Sequence, residues 1–138
     1  MDNNTNLQDL PEIYCAIKAE FIGTQYRDDI VQTISQAGIS IAKTIWTPRR
    51  GATALVFVKT GYRRAWYLED VLTEAFSSME CDLCRLKEIV QENAGHLWID
   101  IAIRCNENVP AITFSGENMQ KIRDLCADIS VDLYTNCT

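Results

Sequence analysis

The chain reads as an α+β domain in which an antiparallel sheet carries helices packed on one face. Three observations predict this. Residues 13–21 and 97–105 alternate apolar and polar side chains with the period of a half-buried strand. Residues 28–37, 69–93 and the stretch after Ser115 instead repeat their apolar positions every three or four residues, as amphipathic helices do. At 138 residues, 47% hydrophobic and 23% charged, the composition is that of a single globular core.

Each element follows from its own pattern. Ile13, Cys15, Ile17, Ala19 and Phe21 form the inner face of the first strand. A short helix over Asp28 to Ala37 buries Ile30, Val31 and Ile34, and Gly38 is placed to end it in the left-handed conformation. Ile39, Ile41 and Ile45 mark a second strand, Pro48 and Gly51 the turn after it, and Ala54 to Val58 a third strand. A short fourth strand is expected at Trp66 and Leu68. From Glu69 to Asn93 a single long helix is predicted, with Leu72, Phe76, Met79, Leu83, Leu86 and Val90 along its buried stripe and Gly95 closing it.

Leu97, Ile99, Ile101, Ile103 and Cys105 then alternate as a central strand. Val109 to Phe114 is expected as a further strand, at an edge because Pro110 cannot donate to a ladder. Ser115 is a natural N-cap for a last helix bearing Met119, Ile122 and Cys126 on one side, and Val131 to Tyr134 makes the closing strand. The order is βαβββ followed by αββαβ, with a β-α-β passage near each end, as in a duplicated ferredoxin-like unit. Residues 1–10 read as a disordered tail and 11–138 as one domain.

Charge is segregated within a net −6: residues 1–42 carry −4, residues 43–64 carry +6 and residues 65–138 carry −8. The acidic balance disfavours nucleic acid and favours a cationic protein partner. No apolar run approaches the ~20 residues that cross a bilayer, and Asp2, Asn3 and Asn4 stand where a signal peptide would be basic and then apolar, so a cytoplasmic protein with no membrane partner is expected. In that compartment the six cysteines read as thiols, with Cys15, Cys105 and Cys126 as small core residues.

The motifs that carry chemistry are few. Cys81 and Cys84 form a CxxC, but redox pairs of this kind sit at a helix N-terminus, whereas the long-helix reading puts these mid-helix. Two further zinc ligands are missing from the pattern around them. His96 is the sole histidine and reads as a turn residue, and no nucleophile elbow or glycine-rich phosphate loop can be written through the six glycines. The chain is therefore read as a non-enzyme without a cofactor. Two surfaces remain. Asp70, Glu74, Glu88 and Glu92 project from the outer side of the long helix as a partner-binding face, and Trp46, Arg49, Arg50, Arg64 and Trp66 frame an alternative small pocket on a tryptophan hairpin.

Read in order, Trp46 with Pro48 and Gly51, then Arg64, Trp66 and Leu68, then Pro110, Phe114 and Ser115, and finally Asp132, Leu133 and Tyr134, the chain resembles the bacterial domain of unknown function 4279 family over about residues 12–135. It departs from that family in its cysteine content and its less compact hairpin. The resemblance implies a small cytosolic α+β domain. It also implies an immunity protein encoded beside a polymorphic or contact-dependent toxin, which it neutralises by occluding the active site. A basic, nuclease-type toxin suits the acidic charge. The alternatives are a regulatory or ligand-binding module using the tryptophan hairpin, and a thiol redox protein.

Overall fold

The computed structural model describes residues 9–23 and 28–135. Among them lie six strands, β1 (Glu12–Ile22), β2 (Lys43–Thr47), β3 (Ala52–Lys59), β4 (Arg63–Arg64), β5 (His96–Cys105) and β6 (Asp128–Thr135). The four helices are α1 (Asp28–Gln36), α2 (Leu68–Ser77), α3 (Leu83–Glu92) and α4 (Gly116–Leu125). The strands form one sheet in the order β2-β3-β1-β5-β6, and β4 continues the β3 side of β1. Neighbours run antiparallel except β5 and β6, which are parallel. The sheet is thus mixed, because α4 carries the chain back to the start of β5 before β6 begins, and a crossover of this kind joins parallel strands. Of the tail expected over residues 1–10, residues 1–8 lie outside the described residues.

The core is built where β1 meets β5. Their register sets Ile13 opposite Ile103, Cys15 opposite Ile101, Ile17 opposite Ile99 and Ala19 opposite Leu97. All eight side chains are buried on the helix-bearing face. Small Cys15 and Ala19 face large partners, so the paired strands leave room for Leu68, Leu72, Phe76, Leu86 and Val90 of α2 and α3. Where β3 gives way to β4, the hydroxyl of buried Thr60 accepts from Cys15 N–H at 3.0 Å, and Thr60 N–H donates to Cys15 C=O at 2.9 Å. The hydroxyl stands in for a missing ladder partner.

Several elements depart from the sequence reading. The long helix is two: α2 ends at Ser77, α3 begins at Leu83, and turns join them. Ser77 and Ser78 are weak helix formers. Ser78 also turns its Oγ onto the Glu74 carbonyl at 3.0 Å, the same oxygen its own N–H uses. Trp66 and Leu68 form no strand; β4 lies earlier, at Arg63–Arg64, and buried Leu68 opens α2. The strand expected over Val109 to Phe114 reduces to one bridge between Ala111 and Tyr67, since Pro110 brings no N–H and Val109 and Ile112 face solvent.

Ile39 is buried ahead of β2 rather than in it, and Ile45 is exposed on that edge strand. In α4 the buried positions are Asn118 and Leu125, with Ile122 partly covered, while Met119 is 58% exposed. Cys126 is exposed as well, because it lies past the last buried turn and adopts the left-handed conformation that ends α4. The Ser115 cap is present: its Oγ accepts from Asn118 N–H at 3.0 Å.

Candidate functional site

The break between α2 and α3 reorganises the acidic face. Asp70 and Glu74 belong to α2, Glu88 and Glu92 to α3, so the four carboxylates are two pairs on two helices. Glu74 is engaged within the chain, taking Arg63 Nη2 at 3.1 Å and Nε at 3.3 Å. Asp70, Glu80, Glu88 and Glu92 are exposed and form no salt bridge among the described residues. Between α3 and α4 runs a cleft of about 500 Å³ whose floor is Leu83 and Leu125 and whose walls include Cys84, Glu88, Lys121 and Asp124. Glu88 therefore joins the acidic face to a groove with an apolar floor.

The opposite face of the sheet treats its carboxylates differently. Lys18 meets Asp100 at 2.7 Å, Arg50 meets Glu20 at 2.7 Å, Arg64 approaches Glu12 at 3.9 Å and His96 Nε2 lies 2.6 Å from Asp128 Oδ2. Each of these pairs spans neighbouring strands or a strand and the hairpin turn. The basic segment 43–64 thus supplies Arg50 and Arg64 to acids of the sheet and Arg63 to Glu74 of α2. Unpaired negative charge is left on the helices.

The residues of the alternative pocket do not converge. Trp46, Arg49 and Arg50 sit at the β2–β3 hairpin, whose Ala52 pairs with Ile22 at the end of β1. Arg64 pairs with Glu12 at the beginning of β1, and Trp66 follows it. The two groups stand at opposite ends of an 11-residue strand, on the order of 30 Å apart at the usual rise. Sequence proximity suggested a pocket that β3 pulls apart. What Arg64 does line is a polar cleft of about 500 Å³ with Glu12, Arg104, Asn106 and Tyr134. There the Arg104 guanidinium lies 3.7 Å from the centre of the Tyr62 ring, which in turn packs against Tyr14. Sequence reasoning missed Arg104 because Tyr62, Glu12 and Arg64 lie far from it along the chain and only the sheet pairing brings them beside it.

Among the thiols, Cys15 is fully buried, and burial first, then the Asp100 and Glu74 charges, push it up to about 12. It is an inert core group. Cys105 is buried too, whereas Cys81 and Cys84 are exposed. Cys81 falls in the turn before α3 and Cys84 in its first turn, not mid-helix. His96 opens β5 as a strand residue, stacked edge-on to Trp98 at 5.3 Å. No group of three or more metal-ligating side chains forms among the described residues, and no helix there is long and apolar enough to cross a membrane.

Comparison of the chain with family models, with curated proteins and with solved structures found no match.

Proposed function

We propose that this domain is a protein-binding inhibitor of the immunity type, which neutralises a basic protein toxin by covering its active site. The supporting observation is the division of charge. Glu12, Glu20 and Asp100 on the sheet are matched by lysine or arginine of the same chain and Asp128 contacts His96, while Asp70, Glu80, Glu88 and Glu92 on α2, α3 and their junction have no salt bridge among the described residues. Exposed carboxylates without intramolecular partners cost little in water and project a negative field that speeds encounter with a cation. The α3–α4 groove adds an apolar floor at Leu83 and Leu125, where a partner side chain can be desolvated.

The test is co-expression with the product of the adjacent gene. A stoichiometric complex that protects cells from that product supports the reading; absence of both complex and protection removes it. A second reading, binding of a small anion, rests on the cleft that Arg64 and Arg104 share. Calorimetry with small carboxylates and phosphates separates the two.

A further inference from the structure

We infer that Cys81 and Cys84 form a redox-active dithiol, which closes to an intramolecular disulfide by exchange with a small disulfide such as oxidised glutathione. Both thiols are exposed and reduced. The two residues between them are fixed in a tight turn. Asp82 has φ −107° and ψ −13°, and Leu83 begins α3. A four-residue turn with such central residues holds its end Cα atoms within about 7 Å, and disulfides form at Cα separations of about 4.4–6.8 Å.

The turn is pinned from both sides. The Met79 carbonyl accepts from Asp82 N–H at 2.8 Å and from Leu83 N–H at 3.1 Å, the Asp82 carboxylate takes Arg85 Nη2 at 2.6 Å, and the Leu83 side chain is buried. Closing the bridge then rotates two exposed side chains and brings their Cβ atoms to the ~3.8 Å that a disulfide needs, on a turn that already holds its ends close, so little further backbone ordering opposes the bond. The break between α2 and α3 is what creates this arrangement, because it moves the pair to the start of a helix, where redox CxxC pairs occur.

The chemistry balances as two exchanges. One thiolate attacks a sulfur of glutathione disulfide, forming a mixed disulfide and releasing one glutathione thiolate. The second thiolate attacks the protein sulfur of that mixed disulfide, expelling the other glutathione. Two electrons pass from the cysteine pair to glutathione disulfide, and the two thiol protons end on the two glutathiones released. Cys84 also lines the α3–α4 groove, so bridging to Cys81 repositions a sulfur of the groove wall. That last consequence rests on the docking proposal above, while the exchange chemistry does not.

Both cysteines fall in one tryptic segment, residues 65–85, bounded by Arg64 and Arg85. The native reduced protein is equilibrated with glutathione redox buffers, quenched with acid, alkylated and mapped. The expected product is that segment short of two hydrogens, exceeding its glutathione adducts by about tenfold because the second thiol acts at the effective concentration of a tethered group. In Cys81→Ser or Cys84→Ser the reaction stops at the mixed disulfide. A segment that carries glutathione on either or both cysteines without a bridge, or stays reduced while Cys126 is oxidised, overturns the inference. Phenylarsine oxide, which needs two adjacent thiols, gives an independent reading on the folded protein: the wild type binds it and each single variant does not, and equal binding by all three also overturns the inference.

Discussion

Asn118 Nδ2 donates to Glu69 Oε1 at 2.5 Å from a side chain that is only 2% exposed, and this contact fastens α4 to α2. The same amide nitrogen donates to Thr73 Oγ1 at 2.9 Å, and Glu69 Oε2 accepts the Ser115 N–H at 2.9 Å. One carboxylate thereby serves both a buried amide and the unpaired start of a helix. Replacing Asn118 by Leu leaves Glu69 Oε1 without its donor. A loss of about 1–3 kcal/mol in urea unfolding is expected, with the slope unchanged.

The same network sets an acid dependence. Burial alone would raise the Glu69 pKa, but the hydrogen bonds from Ser115 and Asn118 outweigh it and hold the carboxyl below its ordinary 4.5. A carboxyl whose folded pKa is depressed stabilises the fold above its unfolded pKa and loses that contribution as pH falls through the folded value. The stability difference between wild type and Glu69→Gln should accordingly be full near neutrality and shrink below about pH 4.5. Denaturant melts across that range check it, and a difference that grows on acidification contradicts the assignment.

Gly95 is required for packing. A Cβ there would run into Cε1 and Cδ1 of the Phe21 ring, which is buried with little room to turn. Gly95→Ala should therefore cost about 1–3 kcal/mol. In a Phe21→Leu background the same change should cost clearly less, and the double-mutant cycle measures the coupling.

Three helices end alike. After α1, α3 and α4 the chain enters the left-handed region at Gly38 (φ 83°), Ala94 (φ 56°) and Cys126 (φ 51°). At each, the next residue donates back five positions, Ile39 to Ile34, Gly95 to Val90 and Ala127 to Ile122. Only the first end uses glycine. Ala94→Gly and Cys126→Gly should each raise stability by about 0.5–1 kcal/mol, because relief of left-handed strain exceeds the added freedom of the unfolded chain. Thermal melts of the single and double variants check this, additivity being expected for separated sites.

Much of the fold was legible because single-face burial leaves a period. Leu97, Ile99, Ile101 and Ile103 are all buried as their alternation requires, and Ile101→Ala should cost about 2–5 kcal/mol in a denaturant melt. The helix break left no such trace. Met79, Leu83, Leu86 and Val90 step by four, three and four residues straight through the junction, and all are buried, so the stripe is continuous where the backbone is not. Residues 109–114 misled for the opposite reason: β-branched side chains at Val109 and Ile112 suggested a strand, yet both are exposed and tertiary context gives the segment a single bridge. The types of residue on the acidic face were readable, but their pairing was not. That Arg63 would occupy Glu74 depends on where β4 sits beside α2.

That distinction makes Glu88 and Glu92 the residues on which the docking proposal turns. They lie one helical turn apart on α3, exposed and without salt bridges among the described residues, and Glu88 also walls the groove. If a basic partner docks there, the two carboxylates steer its approach, and screening limits their reach to roughly 8 Å at physiological ionic strength. Rim charges act mainly on the association rate. Glu88→Lys combined with Glu92→Lys should slow association with the partner at least about tenfold at low salt. The effect should shrink as salt rises, and folding should change by less than about 0.5 kcal/mol. Glu74→Gln should behave differently: it frees Arg63 on the same face and should change binding less than either reversal. Glu107→Lys combined with Asp132→Lys, in the exposed loop after β5 and on exposed β6, serves as the control matched for net charge. The measurement is association kinetics at two salt concentrations beside a growth-protection assay. An unchanged on-rate with full protection in the doubly reversed variant would exclude α3 from the interface and direct attention to the Arg64 and Arg104 cleft.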